Sequence, residues 1–70
     1  MNRTGVIYGI NGPVVYIKGN TGFKMAEMVY VGKEKLVGEV IGLDKDRTTI
    51  QVFEETTGIK PGEIVEATGD

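Results

Sequence analysis

The side chains able to do chemistry are few, and their types decide which chemistry stays open. The 70-residue chain has no histidine, cysteine, serine or tryptophan, which removes the usual zinc ligand sets and the serine or cysteine nucleophile with a histidine base. Asp44 and Asp46 offer oxygens of the kind that hold Ca²⁺ or Mg²⁺, but no further ligands follow at metal-loop spacing. They read as polar residues of a hairpin tip. Glu54 and Glu55, taken as neighbours on a strand, point to opposite faces and do not converge on one substrate as an acid/base pair must. Glu39 lies among apolar residues and, if buried, needs a cation or a backbone donor; its role is read as structural. No Gly-x4-Gly-Lys-Ser/Thr run is present, so there is no recognisable phosphate loop. Neither catalytic, cofactor-binding nor metal-binding residues are expected.

Two further short patterns are read as incidental. Gly38 and Gly42 have the GxxxG spacing, which has meaning in an apolar membrane helix; here they suit strand positions that must bend. Asn2-Arg3-Thr4 fits the glycosylation sequon, yet the start of the chain has no apolar core of a signal peptide, so a cytoplasmic protein is expected. No apolar run approaches the roughly 18 residues of a membrane helix, and direct membrane contact is not expected. The net charge is −2 and the eight basic residues are scattered, which disfavours binding along a phosphate backbone.

The elements that hold these residues follow from the alternation of polar and apolar positions. Residues 48–54 alternate β-branched or aromatic residues with polar ones, the period of a strand with one buried face. The stretch then changes character, and Gly58 and Pro61-Gly62 supply a tight reversal. Further strands are predicted over residues 4–10, ended by Asn11-Gly12; 14–18, opened by Pro13; 23–31, with Met25, Glu27, Val29 and Val31 on one side; 36–43, with Val37, Ile41 and Leu43 on one side and Leu36 and Val40 on the other; and 63–67. Eleven glycines and no 3.6-residue apolar spacing leave no helix.

Six short strands with no helix to cover a sheet predict an all-β fold, a small closed barrel that hides its edges, over residues 1–70 as one domain. A domain of this size buries only about 60% of its unfolded surface. Without a disulfide it must be well patterned or borrow stability from a neighbour. A barrel has one inside, and Tyr8, Tyr16, Met28, Tyr30 and Phe53 cannot share it with Ile7, Val15, Val29, Ile50 and Val52. Scattered surface apolar residues are ordinary, but aromatic and methionine enrichment is also what a contact between subunits displays.

The ordered motifs Gly12-Pro13-Val14-Val15, Lys24-Met25 with Glu27 and Val29, Val31-Gly32, Leu36, Gly38-Glu39-Val40-Ile41, Ile50-Gln51-Val52-Phe53-Glu54-Glu55-Thr56-Thr57-Gly58 and Pro61-Gly62-Glu63 span nearly the whole chain. In them it resembles the N-terminal β-barrel of the catalytic A subunit of A-type and V-type rotary ATPases; the non-catalytic B subunit is a weaker match. The resemblance implies a six-stranded Greek-key barrel cut from a longer polypeptide, without the nucleotide-binding domain, and therefore no enzyme and no cofactor in these residues; ATP and Mg belong to the parent. It also implies neighbouring B-subunit barrels as partners in a crown ring that holds the alternating hexamer together, in an enzyme that couples ATP synthesis or hydrolysis to proton or sodium transport. Tyr8, Tyr16, Tyr30 and Phe53 are the expected inter-subunit contacts. The competing reading is a free-standing OB-like or translation-factor-like barrel that binds RNA, which would show a basic face with stacking aromatic residues.

Overall fold

The computed structural model describes residues 3–19 and 22–69. Their regular structure is all strand: β1 (Thr4–Asn11), β2 (Val14–Lys18), β3 (Met28–Val31), β4 (Leu36–Leu43), β5 (Arg47–Val52) and β6 (Ile64–Ala67). They close into a barrel in the order β1-β2-β5-β4-β3-β6, with every neighbouring pair antiparallel. Strands β3, β4 and β5 form a meander and β2 returns beside β5, which is the Greek-key arrangement; β6 fills the remaining gap between β3 and β1. Closure leaves no edge strand to recruit a second chain.

The inward positions are the β-branched ones. Val15, Val29, Val31, Ile50 and Val65 are fully buried, joined by Ile7, Ile17, Val40 and Val52. Phe23 and Ile59, carried by loops, complete the core. Gly38 is the inward residue that lets β4 approach β5. A Cβ there would stand 2.9 Å from the Gln51 carbonyl oxygen and 3.1 Å from the Ile50 side chain, so only a residue without one fits between the two strands.

Two β-bulges change which residues face inward. The β1–β2 register shifts between Ile7 and Gly9, and the β4–β5 register shifts between Val40 and Gly42. The extra residue in each is Tyr8 and Ile41, and both are exposed. After each bulge the alternation is inverted, so Ile10 and Leu43 pack against the core as Ile7 and Val40 do. The expectation that Leu43 shares a side with Ile41 is therefore wrong. A bulge adds local twist, which a sheet of six short strands needs in order to close.

The third strand also differs from its reading. Residues 23–27 are not strand: the Glu27 amide donates to the Lys24 carbonyl at 3.1 Å, and Ala26 sits at φ 65°. This turn moves Met25 out of phase with Glu27, and Met25 is exposed instead of sharing the buried side with Glu27, Val29 and Val31. An alanine in the left-handed region is strained by about 1–2 kcal/mol, partly offset by the greater unfolded-state freedom of glycine, about 0.4–1 kcal/mol. Ala26→Gly is therefore expected to raise stability by about 0.5–1 kcal/mol, read as an upward shift of the thermal midpoint of a few degrees. The fifth strand stops at Val52, so Glu54 and Glu55 lie beyond its end, both exposed, and not on a strand as read from the sequence.

Candidate interaction surface

The outward residues of β1 and β2 form one wall. Val6 and Ile64 are Cα partners across β1 and β6, and both are exposed. Tyr8, 46% exposed, lies beside Tyr16, with ring centroids 6.3 Å apart and planes tilted by 40°. Tyr16 is half-buried because the Arg47 guanidinium lies over its ring, 4.8 Å from the centroid, within the range of a cation–π contact. Lys18 pairs with Arg47 across β2 and β5, so the wall ends in two adjacent cations.

A second wall is built by β3 and β4. In the ring of strands β3 and β4 stand opposite β2 and β1, so the two walls face away from each other. Tyr30 pairs with Val37, and Met28 with Glu39. The Phe53 amide donates to the Val37 carbonyl at 3.0 Å, which brings Phe53 next to the Tyr30–Val37 pair. Tyr30 is 43% and Phe53 54% exposed. Of the four sequence-predicted contact residues, the fold thus gathers Tyr8 with Tyr16 on one wall and places Tyr30 with Phe53 on the other. Glu39 is half-buried beside Met28 and Gln51. The exposed Val6, Met25, Ile41 and Ile64 are not among the contact residues expected from sequence; the bulges and the turn at Ala26 turn two of them outward.

Two carboxylates hold the loops that flank these walls. Glu27, only 3% exposed, accepts both guanidinium nitrogens of Arg3, the Lys24 amide at 2.9 Å and the Gly69 amide at 2.9 Å. Arg3 also donates to the Gly22 carbonyl. Burial alone would raise the Glu27 pKa, but the two amides and the Arg3 guanidinium outweigh it and hold the carboxyl below its ordinary value. Glu63 does the same for the turn after β3: it accepts the Lys33 amide at 2.8 Å and the Lys60 amide at 3.0 Å. The Lys33 amide is the main cause of its lowered pKa. Neither carboxylate is expected from sequence to act in this way, although a glutamate at an inward strand position already demands a donor.

An open groove of about 610 Å³ runs past the Glu63 clasp, lined by Lys33, Lys35, Lys60, Pro61 and Ile64 among others. Lys35 is neutralised by Glu66 at 2.6 Å. A smaller one of about 290 Å³ opens on the second wall between Met28, Tyr30, Val37 and Thr68. Asp44 and Asp46 are exposed at the β4–β5 tip, where the Asp44 amide donates to the Arg47 carbonyl at 2.8 Å. Among the described residues no group of three or more carboxylates or other metal-binding side chains comes together, and no helix is long and apolar enough to cross a membrane.

The sequence of residues 7–69 matches the family model described as "ATP synthase alpha/beta family, beta-barrel domain". The chain belongs to the ATP synthase alpha/beta family. Within that family it is similar to the "V-type ATP synthase alpha chain 2" of Clostridium tetani, 58% identical over 65 residues that make up 93% of this chain and 11% of the relative. It is 56% identical over 66 residues to the A subunit of the A-type ATP synthase of Methanopyrus kandleri, covering 94% of this chain and 11% of that one. Its match to the corresponding A subunit of Haloferax volcanii is 54% over 70 residues, 100% of this chain and 12% of the relative. The chain thus spans about one eighth or less of the length of these ATP synthase relatives. The matches are to alpha or A subunits and to their N-terminal barrel region, as the motif order in the sequence implies. The closed six-stranded barrel agrees with the family description.

Proposed function

We propose that residues 1–70 are a structural domain of a longer A subunit, packed between the barrels of neighbouring B subunits in the crown of the alternating hexamer. The single observation that carries this reading is the placement of exposed aromatic and aliphatic residues on two opposed walls, since a member of a ring touches two neighbours. Aromatic residues and methionine are enriched at such contacts. The barrel contributes no catalytic group and no cofactor; ATP and Mg are handled by the nucleotide-binding part of the parent polypeptide, whose enzyme couples their chemistry to proton or sodium transport. The domain sits in the cytoplasm on a peripheral complex, away from the bilayer. A rigid collar of this kind keeps a hexamer closed while its sites open and close around a rotor.

Size measurement of this chain alone and mixed with a B-subunit barrel tests the reading. Mixing is expected to raise the mass, and Tyr8→Asp or Tyr30→Asp is expected to weaken the complex at least about tenfold, because each places a charge in a desolvated contact. No gain in mass on mixing overturns it. ATP hydrolysis by the chain alone is expected to stay at the blank. The RNA-binding alternative draws on the first wall, where Lys18 and Arg47 flank Tyr16. A titration with single-stranded RNA is expected to give no tight, salt-sensitive binding.

A further inference from the structure

The pair Asn11-Gly12 has a chemistry of its own that neither the barrel nor its contacts use. An asparagine side-chain amide is open to attack by the backbone nitrogen of the next residue, and glycine leaves that nitrogen uncrowded because it has no Cβ. Asn11 is the last residue of β1, and Gly12 and Pro13 make the turn to β2. All three are exposed. A Cβ on Gly12 would meet no atom within 4 Å, so the tip stands in open solvent. Among the described residues the Gly12 amide donates to no acceptor and the Asn11 side chain has no hydrogen-bond partner. Neither reacting group is held by a bond. Pairing with Val14 keeps the Asn11 backbone extended, which restrains ring closure, but the last pair of a strand beside an exposed turn opens far more readily than the barrel unfolds.

We propose that Asn11 is a site of spontaneous deamidation, converted through its bond to Gly12 into aspartate and isoaspartate. The deprotonated Gly12 nitrogen attacks the Asn11 Cγ; the new N–C bond forms, the bond to the side-chain NH2 breaks, and that group leaves as ammonia with the proton the nitrogen lost. The product is a succinimide ring. Water then opens it: attack at Cγ leaves aspartate with the main chain unchanged, and attack at the main-chain carbonyl leaves isoaspartate, whose chain runs through Cβ and Cγ and is longer by a methylene. Isoaspartate is the disruptive product. The longer chain cannot keep residue 11 opposite Val14 while the Gly12 carbonyl holds the Thr56 hydroxyl at 2.8 Å and the Pro13 carbonyl holds the Val52 amide at 2.8 Å. The tip and the loop after β5 therefore loosen together. Aspartate keeps the chain length but adds a carboxylate where Thr56 ties down the loop that also carries Glu54 and Glu55. None of this depends on which neighbours the walls touch.

Incubation of the full 70-residue chain in mildly alkaline buffer, followed by peptide mapping with fragmentation that separates isoaspartate from aspartate, tests the proposal. The peptide that holds Asn11 is expected to gain the mass difference between an amide and an acid, with isoaspartate among its products, and to do so faster as pH rises. Asn2, before Arg3, and Asn20, before Thr21, are internal references. Both are expected to convert at least about tenfold more slowly, because a side chain on the next residue crowds the attacking nitrogen. Asn11→Gln is expected to stop the conversion at this position, since its longer side chain closes a less favourable ring. Its circular dichroism should match the original, as the side chain is exposed. The aged original chain is expected to lose a few degrees of thermal midpoint that aged Asn11→Gln keeps. An Asn11 that stays intact overturns the proposal. So does conversion at Asn2 or Asn20 that keeps pace with it, aspartate formed without isoaspartate, or a midpoint that does not fall as isoaspartate accumulates.

Discussion

Glu27→Ala is expected to remove about 3–5 kcal/mol of stability, the range for breaking a buried ion pair by deleting one partner. The loss strands the Lys24 and Gly69 amides without their acceptor and removes the carboxylate partner of Arg3, which keeps its bond to the Gly22 carbonyl. The Arg3 side chain keeps 29% of its surface in water, which places the effect toward the lower end of that range. A domain of this size has only roughly 4–10 kcal/mol in hand, so the variant should be substantially unfolded near body temperature. Urea denaturation followed by circular dichroism measures it. A loss under about 1 kcal/mol would mean that the clasp is a surface contact.

The same carboxylate fixes a pH dependence. Its pKa in the folded chain lies below the ordinary 4.5, so its stabilisation is complete above the unfolded value and is lost as pH falls from there through the folded one. Stability is thus expected to decline with acidification below about pH 4.5, with a shallower slope in Glu27→Gln. Glu63, whose pKa is lowered chiefly by the Lys33 amide, acts in the same direction and accounts for part of the slope that remains.

The second large effect is expected at Ile50, which separates inside from outside. Ile50 is fully buried and has Val15 and Val40 as its cross-strand partners. Ile50→Ala leaves a cavity that the surrounding strands cannot close without breaking register, and is expected to cost about 2–5 kcal/mol. Phe53→Ala removes a larger side chain, yet Phe53 is mostly in water, and a change of about 0.5 kcal/mol or less is expected. The denaturation midpoints of the two variants decide it. Comparable losses would show that the outer wall is as much a part of the domain's own packing as the barrel interior.

Most of the strand plan is legible because alternation is a local signal. Val14 to Lys18 and Leu36 to Leu43 have in the fold the bounds that their residue pattern predicts, whereas the first hairpin turns one residue later than Asn11-Gly12 implies: Asn11 still pairs with Val14, and Gly12, at φ 59°, and Pro13 make the turn. The outward side of Tyr8, Tyr30 and Phe53 follows from the limited room inside. The bulges follow only in part: Gly9 and Gly42 mark strand positions that can bend, but the local pattern does not say that an extra residue precedes each of them. The extra residue is set by how much twist the closed ring requires of its neighbours. The turn at Ala26 escapes a sequence reading because alanine rarely adopts a positive φ, and nothing local marks Arg3 as the partner of Glu27, 24 residues away.

Residue types and their order along the chain by themselves determined that six strands form, that histidine, cysteine, serine and a phosphate loop are absent, and which family the barrel belongs to; each of these is carried by composition, by local period or by motif order. The tertiary structure alone decided that the surface aromatic residues divide between two opposed walls, and that Glu27 and Glu63 lock the loops. Those properties depend on strand order and on contacts between distant residues, which a one-dimensional pattern does not contain until the ring has closed.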